Sequence, residues 1–219
     1  MTDRFTYVIE HMEEDEETSK AIPKWVELEY MHMRTLAGPD ARVKFTHLSQ
    51  PSCNTLSSLF SSGKDGPGFA EASAHSSPVL ELMKSADVPM EKVCLLDPKA
   101  EKEISPEDGD GRFAWFLFGV SDDPPRDRTS ELRVLGFPTR HLGPVQMTTD
   151  TALGVTKLVV QDKIPLRKIP FVDYPTITFN AKESVEMPFR YIADDKKEPI
   201  LPPGMQEHLQ EDLNKSFDF

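Results

Sequence analysis

Apolar residues fall along this chain in blocks whose spacing changes from one block to the next. Phe5-Thr6-Tyr7-Val8-Ile9 is a short β-prone run and predicts a first strand. From Pro23 to Ala37 the period turns helical: Ile22, Trp25, Val26, Met33, Leu36 and Ala37 can share one face, and Gly38-Pro39 ends the helix. Arg42 to Leu48 alternates in part, with Val43, Phe45 and Leu48 apolar, and predicts a second strand; Val79 to Ala86 predicts a short helix. Val93-Cys94-Leu95-Leu96 and Phe113-Ala114-Trp115-Phe116-Leu117-Phe118 are continuous apolar runs, the pattern of strands covered on both faces of a parallel sheet. Thr139 to Leu142 predicts a third central strand. In the helix that follows, Ala152, Val155, Leu158 and Val159 form the apolar face, Thr148 or Thr149 caps the start, and Asp150 in the first turn favours the helix dipole. Ile169 to Val172 predicts one more strand.

Two stretches break this pattern. Ser49 to Pro78 holds nine serines, three glycines and three prolines. It reads as a flexible loop or surface insertion outside the core, with a short helix near Leu56 to Phe60. From Pro175 the chain becomes rich in Pro and charge and reads as an extended tail. Its one aromatic cluster, Glu186-Met187-Pro188-Phe189-Arg190-Tyr191, pins that arm to the body. No internal repeat is present. Strands alternating with helices predict a three-layer α/β protein with a parallel sheet, a single domain over residues 1–219.

Charge narrows the partners. Lys plus Arg is 25 against 37 Asp plus Glu, a net charge of −12. Such a surface repels phosphate backbones, from which nucleic-acid binders draw most of their affinity, and suits a basic partner. Part of the excess is one acidic run, Glu10 with Glu13 to Glu17, which alone reads as a solvated loop. Cys53 and Cys94 form no CxxC pair and no disulfide framework; Cys94, inside an apolar run, reads as a packed core residue. The chain opens with no basic, then apolar, leader, and no apolar run nears the roughly 18 residues of a membrane span. The expectation is therefore a cytosolic or nuclear protein with no membrane partner, placed here in the cytoplasm. The histidines are scattered without ligand spacing, so no metal site is expected. G-x-G-x-x-G after a strand, the P-loop, HExxH and GxSxG are all absent.

What remains is a polar rim of three segments: Leu96-Asp97-Pro98, Gly119 through Thr129, and Arg140 through Thr148. Each follows an apolar run, where α/β proteins place ligands beyond the carboxyl ends of adjacent parallel strands. The same segments also read as plain strand-to-helix turns. Asp122, Asp123, Arg126, Asp127 and Arg128, beside Pro124 and Pro125, read either as a capped helix start with surface ion pairs or as carboxylates that grip a cationic substrate. His141 reads either as a ligand contact or as a support for one.

At these residues the chain resembles the fungal family of SPOUT-fold protein arginine methyltransferases, which act on a ribosomal protein. The matching segments are Val8 to Glu14, Trp25 to Tyr30, Val93 to Pro98, Pro124 to Thr129, Gln146 to Ala152 and Glu186 to Tyr191, spread over nearly the whole chain except Ser49 to Pro78. The resemblance implies a C-terminal trefoil knot, an exception to the rule that chains are un-knotted. It implies S-adenosyl-L-methionine held by Leu95, Leu96, Asp97 and Pro98, by Phe118 and Gly119, and by Arg140, His141, Leu142, Gly143, Gln146, Met147 and Thr148. Asp122, Asp123 or Asp127, with Glu10 as a further acid, would face the target guanidinium. The implied partner is a basic small-subunit ribosomal protein, with the enzyme a monomer or homodimer. The chain departs from the family after Gly119, where Val120-Ser121-Asp122 is shorter than the usual glycine-rich loop. Two alternatives stay open. One is RNA methylation, as in most SPOUT proteins, through a patch of Arg126, Arg128, Arg133, Arg140 and Lys157. The other is a non-catalytic interaction protein.

Overall fold

A computed structural model describes residues 4–11, 22–62, 68–120 and 129–217, with side chains described as far as residue 214. Six strands form one all-parallel sheet: β1 (Phe5–Glu10), β2 (Ala41–Thr46), β3 (Glu71–Ala74), β4 (Val93–Leu96), β5 (Trp115–Gly119) and β6 (Thr139–Arg140). Their order across the sheet is β3-β2-β1-β5-β4-β6. The continuous apolar runs behave as their pattern requires. β1, β4 and β5 are buried almost throughout, and alternate residues feed two cores. Tyr7, Ile9, Phe45, Cys94, Phe116 and Phe118 point to one face. Val8, Val93, Leu95, Trp115 and Leu117 point to the other.

Helices close both faces. On the first lie α1 (Lys24–Ala37) and α5 (Thr149–Val160), packed on each other and on the sheet through Val26, Met33, Leu153 and Val159. Their seam carries one buried polar contact, His32 Nδ1 to Asp150 Oδ2 at 2.8 Å, which ties the first turn of α5 to α1. The other face is covered by α3 (Val79–Ser85) and α4 (Thr129–Arg133) through Val79, Leu82, Met83 and Leu132. The expected three layers and parallel sheet are therefore present. Thr148 stands at the N-cap of α5, yet its hydroxyl donates to Thr151 Oγ1 at 2.8 Å and caps no backbone N–H.

The serine-rich stretch overturns its reading as an insertion outside the core. It carries α2 (Gln50–Ser61) and then β3, the edge strand beside β2. Ser52, Cys53, Leu56 and Ala70 are buried. The helix has a proper start: the Ser49 side chain accepts the Ser52 N–H at 3.3 Å, and a proline sits in the first turn, where its missing N–H costs nothing. Ile169 to Val172 also differs from expectation. Only its Phe171 and Val172 form strand, in β7 (Phe171–Asp173), which pairs antiparallel with β10 (Arg190–Ile192) outside the main sheet. The predicted third central strand, β6, is instead two residues long at the sheet's edge.

The tail is only partly an arm. β8 (Thr176–Asn180) and β9 (Glu183–Glu186) form a hairpin. Tyr191 in β10 is buried, and Ile192 and Leu36 close over Gly154 of α5. A last helix, α6 (Met205–Phe217), touches α1. Among the described residues no helix is long and apolar enough to cross a membrane.

Candidate functional site

Because β5, β4 and β6 are neighbours and parallel, the segments that leave their carboxyl ends meet at one edge of the sheet. Between them lies a cavity of about 530 Å³, within the ~300–1,000 Å³ usual for small-ligand sites. Gly119 and Gly143 both line it.

The first wall is the turn after β4: Leu96, Asp97, Pro98 and Lys99. Asp97 is 2% exposed. Its carboxylate accepts Arg133 Nε at 2.5 Å and Nη2 at 2.7 Å, a two-pronged pair, and the Lys99 N–H at 2.9 Å. Two fixed N–H donors on a buried carboxylate hold a charge-assisted contact in one orientation. The Asp97 N–H in turn donates to the Arg140 carbonyl at 2.9 Å, so this turn is fastened to β6. The second wall is the end of β5, Phe118 and Gly119, together with Thr129 at the start of α4. Glu10 and Gly119 are register partners at this edge.

The third wall is the loop after β6, with Leu142, Gly143, Pro144, Val145, Gln146 and Met147, running into Thr149 and Ala152 of α5. Gly143 has φ +93°, a left-handed conformation that a side chain disfavours. The loop's far end is held by the Arg190 N–H, which donates to the Gln146 carbonyl at 2.8 Å. Arg190 is itself fixed by two bonds to Asp173 (2.6 and 2.8 Å) and lies 4.7 Å from the Phe171 ring centre. That pairing holds the Asp173 carboxyl below its ordinary range.

Of the residues expected to hold a cofactor, Leu96, Asp97, Pro98, Phe118, Gly119, Leu142, Gly143, Gln146 and Met147 line the one cavity. Four do not. Leu95 points to the opposite core, as alternation along β4 requires. Arg140 is buried and turned away: its Nε and Nη2 both bond Asp108 at 2.9 Å, over the Phe113 ring. Thr148 is engaged with Thr151. His141 is not among the lining residues, and its Nδ1 accepts the Gly143 N–H at 3.0 Å. Lys99, Thr129, Arg133, Pro144, Val145, Thr149 and Ala152 complete the lining without having been named as ligand contacts. Spacing gives no sign of Arg133, because its partner Asp97 lies 36 residues away.

Glu10 reaches the same sheet edge but not the cavity lining. Its carboxyl, 3% exposed, accepts the Thr46 hydroxyl and the Val79 N–H that opens α3 (3.0 Å), with His47 Nδ1 at 3.3 Å. Burial raises its pKa, and the Thr46 bond and His47 partly offset that. Asp122, Asp123 and Asp127 lie outside the described residues.

Cys94 has the environment of a core thiol. It is fully buried, and burial pushes its pKa up to about 12, whereas nucleophilic cysteines are partly exposed with lowered pKa values. Native protein treated with a maleimide at pH 8 should keep Cys94 unlabelled, and unfolding in guanidinium should expose it fully, read by peptide mass spectrometry. Rapid native labelling would contradict this. Among the described residues no group of three or more His, Cys, Asp and Glu is arranged to hold a metal.

Known proteins resemble this chain along almost its full length. Residues 6–216 match the family model described as "Protein arginine N-methyltransferase SFM1-like". The chain belongs to the SFM1-like protein arginine N-methyltransferases. It is 38% identical to protein arginine N-methyltransferase SFM1 of Saccharomyces cerevisiae over 224 residues, 97% of each chain. It is also similar to the crystal structure of yeast SFM1 complexed with S-adenosylmethionine (SAM), with TM-score 0.77, 32% identity and coverage of 95% of this chain and 91% of that one. The yeast complex with S-adenosylhomocysteine (SAH) gives TM-score 0.73 and 33% identity, covering 93% and 94%. The cavity's lining is mixed: Leu96, Phe118, Leu142, Met147 and Ala152 are apolar, while Asp97, Lys99, Arg133 and Gln146 are charged or polar.

Proposed function

We propose that this protein transfers a methyl group from S-adenosylmethionine to an arginine of a basic protein, with a small-subunit ribosomal protein as the substrate. One observation carries the reading: the three segments expected to form the cofactor site converge on a single cavity, in a chain related end to end to an arginine methyltransferase. The cavity suits the cofactor. Its volume and mixed lining match a ligand with an apolar-faced ring and a charged amino-acid end. In this reading the cofactor lies against Leu96, Phe118 and Met147, with Lys99, Arg133 and Gln146 offering polar contacts and Asp97 fixing Arg133 in place.

When bound, S-adenosylmethionine supplies an electrophilic methyl on a positively charged sulfur. The protein must bring a second cation, the guanidinium, in line with it, and correct orientation alone lowers such barriers by several kcal/mol. Carboxylates offset the repulsion and hold the remaining N–H donors. Asp122, Asp123 and Asp127 are the proposed carboxylates. Support comes from the flanks of their segment, since Gly119 before it and Thr129 after it both line the cavity. A guanidinium of pKa above about 12 keeps its proton until transfer is under way, so a carboxylate accepts it with or after the methyl. Glu10, engaged with Thr46, His47 and α3, belongs to the support of this edge.

The reading extends to the SPOUT class and its trefoil knot, supported by the likeness to SFM1 structures and by three loops crowding one site. Charge favours protein over RNA. Of the patch that would serve RNA, Arg133 is paired with Asp97, Arg140 with Asp108 and Lys157 with Asp162. We place the enzyme in the cytoplasm, acting as a monomer or homodimer.

The test is incubation with methyl-labelled cofactor and a 40S protein fraction, with and without ribonuclease, followed by mass spectrometry of the labelled band. Methylarginine in a ribonuclease-resistant band is expected; label lost with RNA, or none, refutes the reading. An Asp127→Asn variant with unchanged turnover would remove Asp127 from the mechanism.

A further inference from the structure

We infer that His141 is a positioning residue whose Nδ1 lone pair sets the shape of the cofactor loop. The inference rests on the reading of the cavity as the cofactor site. The main chain of His141 is clamped on both sides: its N–H donates to the Lys102 carbonyl at 2.9 Å, and its carbonyl accepts the Ile104 N–H at 3.1 Å. The ring therefore hangs from a fixed backbone. Five residues later the loop is fastened again, at Gln146, by the Arg190 N–H. Between these anchors, among the described residues, Leu142 to Val145 make one hydrogen bond within the protein, from the Gly143 N–H to His141 Nδ1 at 3.0 Å.

That bond has three chemical consequences. An amide N–H can only donate, so Nδ1 must present a lone pair and the ring must be neutral with its proton on Nε2. The bond also holds the left-handed turn at Gly143 closed, within the stretch Leu142 to Val145 that lines the cavity. Finally, the required atom is an acceptor at the δ position. Asparagine supplies one through Oδ1. Glutamine carries its acceptor one carbon farther, and alanine has none.

The experiment compares the wild type with His141→Asn, His141→Gln and His141→Ala by two readouts. Amide hydrogen exchange at Gly143, followed by NMR without cofactor, reads the restraint directly. Calorimetric titration with S-adenosylhomocysteine reads its effect on binding. His141→Gln and His141→Ala should lose the Gly143 protection and bind about five- to tenfold more weakly, the scale of one neutral hydrogen bond. His141→Asn should keep the protection and bind within about twofold of wild type. Midpoints of urea unfolding, measured alongside, identify any variant with a general loss of structure. Equal exchange at Gly143 in the wild type, glutamine and asparagine forms would overturn the inference. Failure of the wild type to bind the cofactor product, with the exchange pattern as expected, would instead overturn the reading of the cavity and leave the turn lock standing.

Discussion

Replacing Arg140 with Met should cost this protein about 3–5 kcal/mol of folding stability, the usual penalty for removing one partner of a buried ion pair. The pair is enclosed on both sides: the Arg140 side chain is 8% exposed and that of Asp108 is 4% exposed. The Asp108 carboxylate would keep the Ser105 N–H at 3.0 Å and Arg112 Nε at 3.8 Å, but would lose both close N–H donors. A charge left so buried carries most of its desolvation cost, a large share of the ~5–15 kcal/mol that holds a typical domain together. Converting both partners, Arg140→Met with Asp108→Leu, should recover much of the loss, because a packed apolar pair often matches a buried ionic one. A deficit of about 1 kcal/mol should remain, since Asp108 also closes the capping box at Ser105. Urea unfolding of the wild type and these two variants checks this. A single variant within about 1 kcal/mol of wild type would mean that water reaches the pair.

The second large effect is expected at Gly109. A Cβ there would stand 2.1 Å from the Val160 carbonyl oxygen and 2.8 Å from its carbon. Both are backbone atoms at the end of α5, and Val160 is fully buried, so neither can retreat without moving the helix. Gly109→Ala should therefore destabilise by about 3 kcal/mol or more, the upper end of overpacking costs. It should also weaken cofactor binding, because α5 carries Thr149 and Ala152 into the cavity wall. Gly68 is the control: an added methyl meets nothing within 4 Å, and Gly68→Ala should stay within about 0.5 kcal/mol of wild type. Equal unfolding midpoints for the two variants would show that the tight approach relaxes easily.

Legibility of the chain tracked the kind of physics involved. Periodicity is local, so β1, α1, β2, β4, β5 and α5 could be read directly from apolar spacing. It fails for β3, whose Glu-Ala-Ser-Ala is too small and polar to announce a strand, and which joins the sheet only because β2 offers an open edge. In α2 the capping signal at Ser49 was present, but serine-rich composition outweighed it. The convergence of loops followed from strand-end logic. Side-chain direction did not, and Arg140, so close to the cavity in sequence, is claimed by Asp108 32 residues away. The family resemblance added what no spacing shows, namely which small molecule such a rim would hold.

The position of β1 between β2 and β5 bears on how the protein is made. One side of β1 finds β2 soon after synthesis, but the partner on its other side, Trp115 to Gly119, leaves the ribosome about a hundred residues later. At ~5–20 residues per second that is a wait of roughly 5–20 s, during which an apolar strand edge lies open on the nascent chain. Translation speed and chaperone supply should therefore govern the yield of active enzyme more than the stability of the finished fold.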